Sequence, residues 1–355
     1  MTKAIEEPAS SSTTASAAAP TASGNRFLTG SAFLLISTTI VNLGNYLYNL
    51  IMGRWLGPAA FADVSLLVTL FLVVTLATGT LQTVAARFAA IYQARGNPES
   101  QSGLRRWGVR LAWLIGLGAL AVMVLGAPFW QSFFHTASPW PFVILGVGVP
   151  IYFAQGVDRG VLQGQLRFIW LSMSYQAEMW VRLIAGVLLG WLGFGVNGAI
   201  AALTISFVAT WLVAMQVRRT LPGNGIFTPE QRHDAITYAG PVAIALLSQI
   251  AINNSDVLLV KHYYPPEEAG LYAALALIGR IVFFATWSVV TVLLPSVAQR
   301  HEQGLPHRHL LWLSLGLVAA ASVVVVAGAY FAGEWVVNLL FGPEYLAIAP
   351  LLWLY

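Results

Sequence analysis

The chain has 355 residues, of which 57% are hydrophobic and only 9% charged, with a mean hydropathy of +0.72 and a formal net charge of +4. Soluble domains carry about 25% charged residues, so a soluble globular domain is excluded. With no cysteine, so are disulfides, thiol catalysis and cysteine metal sites. Many runs reach the ~20 mostly apolar residues that cross a bilayer, and the short alternating strands of a barrel are missing; the class is an all-α, polytopic membrane protein.

Met1 to Gly24 is a Ser-, Ala- and Thr-rich stretch with Pro8 and Pro20 and almost no bulky apolar residue. It predicts a disordered tail over residues 1–25, and it lacks the basic start and apolar core of a signal peptide. Spans are expected near 28–52, 61–86, 108–130, 140–162, 168–191, 195–217, 236–261, 269–297 and 308–332. The last run, Tyr345 to Tyr355, is too short for a hydrocarbon core of about 30 Å. The chain stops inside what reads as the start of another span, so the sequence is a fragment or its end is unusual.

Basic residues alternate between loops. Lys3 and Arg26 precede the first span. Arg87, Arg95, Arg105, Arg106 and Arg110 fall in the second-to-third loop, Arg159 and Arg167 in the fourth-to-fifth, Arg218, Arg219 and Arg232 in the sixth-to-seventh, and Arg300 and Arg308 in the eighth-to-ninth. The intervening loops carry only Arg54 and Lys261. The positive-inside rule then places the N-terminus in the cytoplasm, and the expected location is the plasma membrane. Arginines at span ends account for the net charge, and nucleic acid is not an expected partner.

One plan occurs twice. Asn42, Asn45 and Asn49 share a helix face at i, i+3 and i+7; Gly53 to Pro58 turns the chain; a second apolar segment runs from Phe61 to Phe88 and closes at Gly96. Later, Gln249, Asn253 and Asp256 mark a face at i, i+4 and i+7, Tyr264-Pro265-Pro266 turns, and Leu271 to Val297 leads to His301-Glu302-Gln303-Gly304. Asn45 matches Asn253, Pro58 matches Pro266 and Gly96 matches Gly304 at one offset. Six spans separate the copies, so both keep the same orientation, which makes a parallel repeat. The expected organisation is a six-helix lobe over 26–220, a cytoplasmic linker over 221–234 and an incomplete second lobe over 235–355. The lobes are pseudo-symmetric.

Ionisable groups within spans cost about 2.5–3.5 kcal/mol and mark candidate sites. Arg280, near the middle of the eighth span, reads as a contact for lipid phosphates, or as half of an ion pair with Asp256 or another acid. Glu178 and Arg182, four apart, can neutralise each other on one face. Asn42, Asn45, Asn49, Gln249 and Asn253 either line a wet cavity or bond helix to helix. Gly44, Gly79 and Gly116 allow close packing, and Pro150, Pro241 and Pro295 kink or start helices. No Walker loop, HExxH or GxSxG is present, and His301, His307 and His309, in a basic loop, have no matching cysteine or acidic cluster for a metal. Neither an enzyme nor a cofactor is expected.

The string Met52-Gly53-Arg54-Trp55-Leu56-Gly57-Pro58-Ala59-Ala60-Phe61 is similar to the GRxLGPxxFG stretch of polysaccharide-biosynthesis flippases, with Ala62 in place of the usual glycine. Leu81 to Phe88 resembles the end of their second span. The resemblance implies membership of the multidrug/oligosaccharidyl-lipid/polysaccharide exporter superfamily. It also implies two lobes about a central cavity, and alternating access that moves an undecaprenyl-pyrophosphate-linked glycan outward. Related peptidoglycan-precursor flippases use cavity arginines, one in the eighth span, where Arg280 lies. The expected partners are the lipid-linked oligosaccharide, membrane lipids, and glycosyltransferases or a polymerase of the same pathway. The alternatives are an ion-coupled multidrug exporter of the same fold, a membrane-embedded glycan polymerase or ligase, and a scaffold subunit of a glycan-synthesis complex.

Overall fold

The computed structural model describes residues 21–223, 225–280 and 308–354. Among the described residues there is no strand, and the helices are α1 (Thr21–Ala94), α2 (Pro98–Leu125), α3 (Ala127–Phe134), α4 (Trp140–Gly164), α5 (Phe168–Trp191), α6 (Gly195–Ala214), α7 (Pro229–Tyr263), α8 (266–280) and α9 (Arg308–Leu340). Short 3-10 turns cover Met215–Thr220 and Pro343–Leu351. Six of the described helices are long and apolar enough to cross a membrane, so the protein is a multi-pass, all-α membrane protein. The first 20 residues of the expected tail, the rest of the eighth span with Pro295, and His301, Gly304 and His307 lie outside the described residues.

The connector expected over Gly53 to Pro58 contracts to one residue. Gly57, at φ 74° and ψ 170°, is the only non-helical residue inside the 74 residues of α1. Only glycine adopts that backbone region without strain, and Pro58 then starts the second arm with a preset φ and no amide to leave unpaired. The chain reverses here. Arg182 reaches Asn45 on the first arm (2.9 Å) and lies over the ring of Phe71 on the second (5.7 Å). In a straight helix those two residues would stand about 39 Å apart.

The second arm of α1 is the backbone against which other helices register. On α4, Gly156, Gly160 and Gly164 face Thr78, Gln82 and Ala86 in constant step, and a methyl on Gly160 or Gly164 would run into the Gln82 or Ala86 carbonyl. The two helices therefore run parallel and touch backbone to backbone, as small residues four apart permit. This stripe escaped the sequence reading. The glycines named there do sit at crossings: Gly44 under Met179, Gly79 under Leu246 and Gly116 under Pro150.

α7 lies antiparallel along the same arm, from Tyr238 beside Phe88 (6.3 Å), through Leu246 over Gly79, to Lys261 paired with Asp63 (2.8 Å). At that last end Asp63 also accepts the Ala137 amide (3.1 Å), and His262 stacks on Phe133 (4.2 Å). The Pro58 carbonyl abuts Gly270, and the Tyr345 hydroxyl donates to the Gly53 carbonyl (2.8 Å). The tips of both hairpins are thus packed together at the end away from the arginine-bearing loops.

The expected linker is a docked strap at the arginine-bearing end. Ser102 donates to the Pro222 carbonyl (2.5 Å), and Phe227 sits between Trp107 (5.2 Å) and Tyr92 (6.5 Å). Thr228 and Gln231 then form a capping box that starts α7 at Pro229, inside the stretch read as linker. Two further boundaries shift. α2 begins at Pro98 rather than near 108, which puts Arg105, Arg106 and Arg110 on a helix, and the expected third span breaks at Gly126.

Candidate functional site: a polar track inside the α1–α6 bundle

Arg159 was counted with Arg167 in the fourth-to-fifth loop. It lies inside α4 and is 2% exposed. Its Nη2 pairs with Glu178 Oε2 at 2.8 Å, and it also donates to Ser174 Oγ (3.0 Å), the Ser174 carbonyl (3.0 Å) and Thr210 Oγ1. The other Glu178 oxygen pairs with Arg182 Nη2 at 2.6 Å. Arg182 Nη1 in turn donates to Asn45 Oδ1 at 2.9 Å. The pair expected on one face of α5 is therefore a triad, with two guanidiniums against one carboxylate and a net charge of +1.

That triad continues towards the arginine-bearing end. The Arg159 guanidinium lies 4.0 Å over the ring of Tyr175. Gln82 Nε2 donates to the Tyr175 hydroxyl (2.9 Å) and to Gln163 Oε1 (3.2 Å). In order, Gln163, Gln82, Tyr175, Arg159, Glu178, Arg182 and Asn45 make one connected track across four strands of the bundle: both arms of α1, α4 and α5. Gln163 is exposed and Gln82, Tyr175, Glu178 and Asn45 are half-buried, while the two arginines are buried. One turn from Arg159 on the same face of α4, Gln155 is fully buried, and both its amide atoms lack a partner among the described residues. Arg182 Nε is likewise buried and unpartnered among them.

The other sequence candidates fall on three faces. Asn49 donates to the Asn45 carbonyl of its own helix (2.9 Å), and Asn42 is exposed one turn away. On α7, Gln249 and Asn253 are exposed, with Asn253 donating to the Gln249 carbonyl (2.7 Å). Arg280 donates to the Asn253 carbonyl and to Asn254 Oδ1, each at 3.2 Å, and the Tyr272 hydroxyl donates to Asp256 Oδ2 at 3.0 Å. Asn45, Glu178 and Arg182 thus come together in the α1–α6 bundle. Gln249, Asn253 and Arg280 meet at the α7–α8 hairpin, with Asp256 one turn along α7. Arg159, Gln82, Gln163, Tyr175 and Asn254 were missed. Only Arg159 carried a readable signal, an arginine beside an aspartate, Asp158, within the span expected over 140–162.

An all-α membrane bundle with a helical hairpin reversed at one glycine and a cationic track inside it defines a class, and that class has solved relatives. A structure described as the inward-facing conformation of a multidrug resistance MATE family transporter of the MOP superfamily matches with a TM-score of 0.69 at 17% identity, over 86% of this chain and 74% of that one. A MATE multidrug transporter, DinF-BH, solved as a complex, matches with a TM-score of 0.62 at 14% identity, over 90% and 75%. A MOP superfamily transporter from Pyrococcus furiosus, whose reverse binding-pocket polarity is said to suggest a different function, matches with a TM-score of 0.55 at 16% identity, over 93% and 85%. The chain therefore has the MOP-superfamily fold. Within it, residues 27–301 match the family model of polysaccharide biosynthesis proteins, and the chain belongs to that family. Uncharacterized proteins of Mycobacterium bovis and Mycobacterium tuberculosis are 23% identical over 345 residues, 94% of this chain and 78% of each relative.

Proposed function

We propose that the protein is a flippase that carries a polyprenyl-pyrophosphate-linked oligosaccharide across the plasma membrane by alternating access, with its N-terminus in the cytoplasm. The supporting observation is the sign of the buried charge. A site holding two arginines against one glutamate attracts an anion, and desolvation inside the bundle strengthens that attraction. An exporter of cationic drugs needs the opposite sign. The polysaccharide biosynthesis family membership points the same way.

In this reading Arg182 is the primary phosphate contact. It is tied through Asn45 to the first arm of α1 and has an Nε donor to spare. Arg159 holds Glu178 so that the carboxylate does not fully neutralise Arg182. Arg280, with Asn253 and Asn254, is the facing contact on the α7–α8 hairpin, and Asn42, Asn49 and Gln249 wet the path between. The α1–α6 bundle and the part of the chain from α7 onward rock about this site, as repeat-built transporters do. Packed hairpin tips close one end while the other admits cargo.

The test is complementation of a host lacking its own polysaccharide flippase, with surface glycan measured by lectin or antibody labelling. Arg182→Ala and Arg280→Ala should each lose export while remaining in the membrane. Normal export by both variants would overturn the reading. A gain in drug resistance without glycan export, in an exporter-deficient host, would establish the multidrug alternative instead.

A further inference from the structure

The end of the track away from Arg182 has a different chemistry from the arginine site. Gln82, Gln163 and Tyr175 carry no formal charge, and their mutual bonds leave groups over. Gln82 Nε2 donates to both neighbours, and its carbonyl oxygen has no partner among the described residues. Gln163 uses only its carbonyl oxygen among the described residues, leaving its NH₂. Tyr175 accepts through its hydroxyl and keeps that proton to donate. Acceptors and donors are therefore both on offer. A phosphate oxygen accepts only, and would gain nothing from a glutamine carbonyl. A hydroxyl both donates and accepts, and matches such a set. If these amides served only to bond helix to helix, burial would be expected; Gln163 is exposed, and Gln82 and Tyr175 are half-buried.

Position adds to chemistry. Tyr175 and Glu178 are three apart on α5 and so about 5–6 Å from each other, and Arg159 touches both. The neutral trio thus lies within a helical turn of the cationic triad, on the side of the arginine-bearing loops, as a glycosyl unit lies next to the phosphate it is bonded to.

Resting on the flippase reading, we infer that Gln82, Gln163 and Tyr175 form a sugar subsite, which takes the hydroxyls of the glycosyl unit nearest the pyrophosphate. They act as specificity-determining residues, while Arg182 takes the anion whatever sugar follows it.

The test is direct binding to purified full-length protein in nanodiscs. One probe is farnesyl pyrophosphate without sugar. The others are farnesyl-pyrophosphoryl monosaccharides carrying N-acetylglucosamine, galactose, glucose or mannose. Wild type should bind at least one sugar-bearing probe more tightly than the bare pyrophosphate. Gln82→Ala and Tyr175→Phe should each weaken that preferred probe about two- to tenfold, the range for one lost neutral hydrogen bond, and leave bare pyrophosphate unchanged. Arg182→Ala should weaken all of the probes. Equal loss for bare and sugar-bearing probes in the Gln82 and Tyr175 variants, or no loss for either, overturns the subsite but spares the flippase. Failure of wild type to bind any probe, or indifference to Arg182→Ala, overturns the flippase reading and the subsite with it.

Discussion

Two kinds of buried charge sit close together in the α1–α6 bundle. Asp158 and Arg159 are neighbours on α4 and pair with different elements, Asp158 with α2 and Arg159 with α5 and α6. Asp158, fully buried, is held by Arg105 through two contacts (2.6 and 3.2 Å), and the pair sums to zero. Lys261 and Asp63 at the packed hairpin tips balance in the same way. Arg159 instead joins a triad that does not balance. Matched pairs join elements, α2 to α4 and α7 to α1, and have no use for a further ion. The mismatched triad joins elements too, but it leaves a positive potential inside apolar surroundings, where a surplus charge is costly unless something answers it. Charge balance, more than burial, separates the structural ion pairs from the site.

The sharpest way to break this distinction is to unpair Asp158. Arg105→Ala leaves a buried carboxylate alone and should lower stability by about 3–5 kcal/mol, read as a large drop in the detergent unfolding midpoint. Arg105→Met with Asp158→Leu should recover most of it. If the single variant unfolds like wild type, the pair is not the clamp described.

Gly160→Leu tests whether the glycine stripe sets the register of both charged neighbours. Its side chain meets the Gln82 carbonyl and should cost about 1–3 kcal/mol by overpacking, with loss of export from shifting Arg159. An unchanged melt would mean that α4 has slack against α1.

Gln155→Leu replaces a buried amide that has no partner among the described residues and should raise stability by about 1–2 kcal/mol. A destabilised variant would mean that the amide is satisfied by a group it needs. Smallest on stability, though largest on transport, is Arg182→Met. Removing the surplus charge should leave the melt within about 1 kcal/mol of wild type while abolishing export. Destabilisation on the scale of Arg105→Ala would place Arg182 with the structural pairs.

The sequence disclosed the fold class because long uncharged runs admit few alternatives, and the span edges of α4, α5 and α6 were legible to within a few residues. It disclosed Glu178, Arg182 and Asn45 because charged and amide groups in such runs are conspicuous. Arg159 was hidden by the rule that helped elsewhere, since an arginine near a span end looks like a topological marker until its partners on α5 and α6 are known. Gln82, Gln163 and Tyr175 lie on three helices and had no spacing to betray them. The connector at Gly57 was overestimated because its Arg, Trp and Pro resemble a loop, whereas one glycine at positive φ is enough to reverse the chain.

That reversal has a bearing on how the protein enters the bilayer. A hairpin with a single-residue bend has almost no hydrophilic segment between its arms, so nothing polar of any length has to be dragged through lipid when the two arms insert. They can pass from the translocation machinery as one unit, already antiparallel. A bulky residue substituted for Gly57 would then register first as a failure of biogenesis, before any question of transport arises.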